Sequence, residues 1–210
     1  MKHQLLLSLL LTPFFCFAQD FNLKKEFLSG HIEVHNRTIQ VYENNGIALD
    51  AQESDGLALI NNASFESGTV EFEIKGENNP GKSFVGFAYN IQNDSTYEAI
   101  YFRPFNFVAK EAIRRSHMVQ YIHHPGFTWF NLRENRTDEF ENEISSPPDP
   151  DGWFSVKLIV SEKEVEVFIE GRKQPELSVE RLATSKSDRI GFWTGFGSSG
   201  RFKNLRVTKE

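Results

Sequence analysis

Between Tyr97 and Arg133 the chain interleaves rings, guanidiniums, amides and imidazoles at high density. Tyr97-Glu98-Ala99-Ile100-Tyr101-Phe102-Arg103-Pro104-Phe105-Asn106 is followed by Arg114-Arg115, Gln120-Tyr121, His123-His124, Trp129 and Arg133. Flat apolar faces bordered by planar hydrogen-bonding groups suit a ligand that offers both, as a sugar ring does. Tyr101, Arg103, Asn106, Arg114, Arg115, Gln120, Tyr121, Trp129 and Arg133 are therefore expected to bind ligand, with Tyr121 and Trp129 stacking on sugar rings. Pro104 ends a strand and puts the Arg103 guanidinium at a sheet rim. The four arginines favour an anionic or oxidised sugar, because the guanidinium fork prefers planar anionic partners. If the protein is an enzyme, Glu98 is the first candidate acid or base, with His123 or His124 as its partner.

Other residues with chemical potential have simpler readings. Gly76-Glu77-Asn78-Asn79-Pro80-Gly81-Lys82-Ser83 satisfies the phosphate-loop pattern, but Phe84-Val85-Gly86-Phe87-Ala88-Tyr89 after it is β-prone. A phosphate loop needs a helix N-terminus at that point, so a glycine-rich hairpin turn is expected instead. Glu71 and Glu73 have the i, i+2 spacing of a glycosidase carboxylate pair. They alternate with a buried row, however, which predicts a solvated strand face. Asp138-Glu139-Phe140-Glu141-Asn142-Glu143 reads as a solvated loop. His117, His123 and His124 are close in sequence, but neighbouring strand residues point to opposite faces. No spaced carboxylate signature accompanies them, and His31 and His35 at i, i+4 share a face only if that segment is a strand, so no metal and no cofactor is expected at either place. Trp153 and Trp193 read as core or sheet-edge aromatics. Asn36, Asn62, Asn93 and Asn135 each begin an N-x-S/T triplet, which matters only in a host that glycosylates.

Strands must position these groups. Val70, Phe72 and Ile74 alternate with Thr69, Glu71, Glu73 and Lys75 across Gly68–Gly76, the period of a strand with one buried face. Phe154, Val156, Leu158 and Val160 repeat the pattern, as do Val165, Val167 and Ile169, with a hairpin turn at Ser161-Glu162-Lys163-Glu164. Further strands are expected at Ile39–Tyr42, Ile47–Asp50, Leu57–Ile60, Ser83–Tyr89, Tyr97–Arg103, Met118–Ile122, Arg189–Thr194 and Phe202–Thr208. About a dozen strands and no long helix predict an all-β, two-sheet antiparallel sandwich. His123 to Asp151 is the longest irregular stretch, and long ordered loops are often functional.

The chain opens as a secretory signal, with Lys2 and His3, the apolar run Leu5 to Ala18, and a small-residue cleavage point at Phe17-Ala18-Gln19. The run falls short of the about 20 apolar residues of a membrane span. The expected organisation is a signal peptide over 1–18 and one domain over 19–210, exported to a periplasmic or extracellular place and without membrane attachment. Cleavage would remove Cys16, the single cysteine, and with it any disulfide or thiolate chemistry. Phe14-Phe15 lacks the small residue that lipidation of Cys16 prefers. A formal charge of −6 speaks against nucleic acid as a partner.

Gly68-Thr69-Val70-Glu71-Phe72-Glu73-Ile74 and Phe84-Val85-Gly86-Phe87-Ala88-Tyr89 resemble the early strands of concanavalin A-like lectin/glucanase (laminin-G-type) sandwiches. Trp153–Leu158, Val165–Gly171, Arg189–Trp193 and Phe202–Val207 are similar to the later ones. The resemblance covers most of residues 30 to 208 and implies a jelly-roll fold. Exported bacterial 3-keto-disaccharide hydrolase-like proteins look like relatives. The chain departs from both patterns: the E-x-D-x-E strand of laminarinase-type glucanases is missing, and of G-Y-E-x-Q-x-x-D only Tyr97-Glu98 is present. The leading expectation is a sandwich that binds carbohydrate on one sheet face. The alternatives are a glycoside hydrolase or lyase acting on glycosidic bonds, and a laminin-G-like protein-interaction module.

Overall fold

The computed structural model describes residues 18–210. All of the expected leader except Ala18, Cys16 included, lies outside the described residues. The first strands are β1 (Ala18–Phe21), β2 (Ile32–His35), β3 (Ile39–Tyr42), β4 (Gly46–Leu49) and β5 (Gly56–Ile60). Longer ones follow: β6 (Gly68–Lys75), β7 (Val85–Asn93), β8 (Thr96–Phe102) and β9 (Val119–His124). After the short β10 (Glu141–Asn142) come β11 (Phe154–Val160), β12 (Glu164–Ile169), β13 (Leu177–Glu180), β14 (Gly191–Thr194) and β15 (Gly200–Lys209). The helices are short: α1 (Leu23–Leu28), α2 (Ala112–Arg115) and α3 (Trp129–Asn135).

These strands form two antiparallel sheets. One holds β13-β12-β11-β6-β15-β4-β3 in that order, with β1 also paired to β15. The other holds β10-β9-β8-β7-β14-β5-β2. Alternation decides which side chains meet between them. On β6, Val70, Phe72 and Ile74 are buried while Glu71 is exposed, so one face of the strand joins the core. Phe72 stacks on Phe87 at 5.2 Å and meets Phe192 edge-on at 5.7 Å; Phe102 packs edge-on against Phe154 at 5.2 Å. These rings lock the two layers face to face, as a sandwich requires.

The hairpin at Ser161–Glu164 is present: Ser161 N donates to Glu164 O at 2.9 Å, and Ser161 Oγ accepts from Glu164 N. Two local expectations are corrected. The glycine-rich segment 76–83 is not a hairpin, because β6 and β7 belong to different sheets. It is a crossing from one layer to the other, fastened where Ser83 Oγ accepts from Glu77 N at 2.8 Å. The stretch from His123 to Asp151 is not irregular throughout, since it holds α3 and β10. Thr128 caps α3, its Oγ1 accepting from Asn131 N at 3.2 Å.

Candidate functional site

The register of the seven-stranded sheet sorts its side chains between core and outer face. Tyr101 pairs with Gln120 and Gly86, Tyr97 with His124, and Gly86 with Trp193. Glu141 continues the row opposite Gln120. Directly paired residues share a face, so Tyr97, Tyr101, Gln120, His124, Glu141 and Trp193 all stand away from the core rings. Over this face lies a cleft of about 690 Å³, within the usual range for ligand sites. Its walls come from the loops around the sheet: Phe105, Asn106, Arg114 and His117 after β8, Thr128, Trp129 and Arg133 on α3, and Phe84, Gly195 and Phe196 beyond. Trp129 and Phe196 are about half exposed at the rim.

One end of the cleft is built around Glu141, which is 5% exposed. Arg133 grips it through two hydrogen bonds, Nε to Oε1 at 3.0 Å and Nη2 to Oε2 at 2.6 Å. His117 Nδ1 lies 2.9 Å from Oε2, and Arg103 Nη1 lies 3.7 Å from it. Arg103 is itself buried; its Nη2 donates to Tyr101 Oη and to Gln120 Oε1, both at 2.5 Å. Burial lowers its pKa, with the like charge of Arg133 adding to the effect and Glu141 opposing it. Tyr101 Oη donates to the same Gln120 oxygen at 2.9 Å, and desolvation pushes its pKa up to about 12. Gln120 Nε2 is buried without a hydrogen-bond partner. Asn106 Oδ1 accepts from Arg114 Nε at 3.2 Å, while its Nδ2 donates to His117 O at 3.1 Å. Burial lowers the pKa of His117, and Arg133 and Arg103 reinforce this against Glu141.

The other polar cluster is four residues away along β8, roughly 13 Å at the usual rise of a strand. There Trp193 Nε1 donates to Tyr97 Oη at 3.0 Å, and Tyr97 Oη donates to Asp55 Oδ2 at 3.1 Å. His124 stacks on Tyr97 at 5.0 Å, with Nε2 3.9 Å from Asp55. Desolvation holds the His124 pKa below its ordinary value, against the pull of Asp55. Arg37 ties the neighbouring loop down through Thr194 Oγ1, Thr194 O and Gly195 O. Gly86 stands in register between Tyr101 and Trp193, whose rings close over it at 4.9 Å. A Cβ there would come within 2.7 Å of Tyr101 Cβ.

Of the residues expected to bind ligand, Tyr101, Arg103, Asn106, Arg114, Trp129 and Arg133 line this cleft, and Gln120 is bonded to two of them. The others are placed elsewhere. Tyr121 faces the core, where its hydroxyl donates to Glu98 at 2.8 Å, so it cannot stack on a ligand in the cleft. Arg115 turns outward to Glu143 at 3.0 Å. Glu98 is fully buried on the core side and is held by Arg181 (2.6 Å), Asn90 (2.7 Å) and Tyr121. That is the setting of a structural ion pair, out of reach of the cleft. His123, paired with Glu98 across β8 and β9, shares that inner face and stacks on Phe127 at 5.9 Å. The solvated-loop reading of 138–143 fails at Glu141, while Trp193 is buried as expected and also lines the cleft. Glu141, Asp55 and Trp193 were not expected at the cleft, whereas His117, weighed against a metal role in the sequence, lines it. No local signal marks Glu141 or Trp193 as part of the cleft; cross-strand register places them there. Among the described residues, no three or more His, Cys, Asp or Glu side chains gather as a metal site.

Sequence comparison finds no matching family model and no matching curated protein. Comparison of structures defines the fold as that of concanavalin A-like and galectin-like β-sandwiches. A carbohydrate-binding module, CBM66 of Bacillus subtilis, superposes with a TM-score of 0.60 at 10% identity, over 84% of this chain and 94% of that chain. A Bacillus subtilis protein with a galectin-like fold gives 0.60 at 13% identity, over 91% and 94%. A β-glucanase of Bacillus licheniformis gives 0.52 at 9% identity, over 85% and 87%.

Proposed function

We propose that the chain is an exported carbohydrate-recognising sandwich that takes an acidic saccharide into the cleft on the outer face of its seven-stranded sheet. The observation that carries this reading is the convergence of guanidiniums at the Glu141 end. Arg103 and Arg133 reach one buried carboxylate and line the aromatic-walled cleft together with Arg114, so planar N–H donors face the space a ligand would fill. A uronate carboxyl would match these donors, and guanidinium–carboxylate pairs are among the stronger polar contacts. Trp129 and Phe196 offer ring faces at the mouth. The structural neighbours named as a carbohydrate-binding module and a glucanase support a sugar as the ligand class. Export rests on the leader-like run Leu5 to Ala18.

Titration calorimetry with uronate oligosaccharides and their carboxyl-reduced forms tests this directly. The acidic forms should bind more tightly. Arg114→Ala, at a half-exposed wall position, should weaken them about 10- to 100-fold, the worth of a hydrogen bond to a charged group. Equal affinity for both forms would remove the acid preference, and no binding of either would remove the saccharide reading.

A further inference from the structure

The Glu141 end of the cleft holds the parts of a proton-abstraction site, which recognition alone does not require. His117 gives Nδ1 to Glu141 at 2.9 Å, and its backbone carbonyl accepts from Arg103 and Asn106. With Nδ1–H donated to the carboxylate, the lone pair of the ring is on Nε2, the atom left without a hydrogen bond among the described residues. This is the arrangement of a base oriented by a third group. Around it stand Arg103 and Arg133, which both reach Glu141, and Arg114, which faces Glu111 at 3.8 Å; all three line the cleft.

We propose that the cleft performs β-elimination on a uronate-containing saccharide, with His117 as the base that removes the proton from the carbon bearing the carboxylate. This rests on the acidic-saccharide reading above and adds an activity to it. The guanidiniums take up the negative charge that spreads into the carboxyl group as the proton leaves, the kind of preorganised stabilisation that lowers such barriers most. The released C–H electron pair forms a double bond to the adjacent carbon. There the C–O bond to the next sugar breaks, and its electrons stay on oxygen. That oxygen takes a proton from the His117 imidazolium, which returns to its neutral form. No oxidant, reductant or water is consumed.

Hydrolysis by a carboxylate pair fits the cleft less well. Glu141 is occupied by Arg133, His117 and Arg103, and Asp55 belongs to the separate Tyr97 cluster. Glu141 is a positioning residue, fixing the imidazole rather than touching substrate. The charged groups facing His117 are Glu141 on β10, Arg133 on α3, Arg103 after β8 and Asp138 on the loop after α3. Burial leads in keeping the ring neutral, so the base is ready at neutral pH and the rate should fall on acidification below the ordinary histidine range.

The full chain should be incubated with polygalacturonate, alginate and hyaluronate while the ultraviolet absorbance of the new conjugated double bond is followed. Binding of matching oligomers should be measured by calorimetry in parallel. The expected result is absorbance growth with at least one polymer, reduced about 100-fold or more in His117→Ala, while that variant still binds the oligomer within a few-fold. Retained binding also shows that the variant is folded. Binding without absorbance growth overturns the elimination and leaves the recognition reading standing. Growth that survives in His117→Ala overturns the assignment of the base. Absence of both binding and growth defeats both readings together.

Discussion

Glu98 and Glu141 show how little a carboxylate's identity says about its use. Glu98 sits in a sequence rich in polar aromatics, yet its strand position points it inward. Asn90, in a left-handed conformation at the irregularity of β7, turns its amide onto it, and Arg181 arrives from the loop after β13. The pair is desolvated and satisfied, so removing one partner strands the other. Glu98→Ala should cost about 3–5 kcal/mol of stability, read as a lower midpoint in chemical denaturation. Glu98→Gln should leave oligouronate affinity unchanged where the variant remains folded; a lost affinity would return Glu98 to the site. Glu141 lies in an acidic run that looks like a solvated loop, and nothing local distinguishes it from Glu139 or Glu143. Its role comes from pairing with Gln120 across the sheet edge and from Arg133, eight residues earlier on a helix. Such information belongs to pairing and is invisible in a single segment.

At the level of elements, the strands were legible and their partners were not. Val70, Phe72 and Ile74 declare a strand by their period, and β6 lies where that period puts it. β1, β2, β10 and β13 were missed, being two to four residues each; even the clean alternation of Leu177-Ser178-Val179-Glu180 is too short to declare a strand. Gly86 illustrates what pairing adds. As a lone glycine in a β-prone run it is unremarked; in the sheet it is the gap that lets Tyr101 and Trp193 meet. Gly86→Val should push β8 away, since a Cβ would collide with Ile100 O and come within 2.7 Å of Tyr101 Cα. It should displace the rings and lower thermal stability by about 3 kcal/mol, the upper end of the range for overpacking. It should also weaken ligand binding, because the floor of the cleft would rise. A melting curve and a calorimetric titration on the same sample check both. An unchanged affinity would show that the ligand sits higher, against the loops alone.

For the whole molecule, three histidines of one region share a direction. Burial leads in holding His117, His123 and His124 below their ordinary value of 6.5. The unfolded chain therefore binds more protons than the folded one as pH falls through that value. Stability from this source is present above the unfolded pKa and is lost on acidification. Tm should fall between pH 7 and pH 5, and His124→Gln should flatten the slope; a flat wild-type profile would contradict the burial of these rings. The fold class was readable because alternation recurs in so many segments, whereas the cleft needed both layers assembled before it existed. One feature of the topology governs that assembly. β14 lies between β7 and β5, and β15 lies between β6 and β4 with β1 beside it. Each layer thus reserves an interior seat for a late arrival, and residues 191–209 occupy both. Until that segment is seated, each sheet is two unjoined halves with raw edges, so refolding should run as one slow, all-or-none event dominated by long-range pairing.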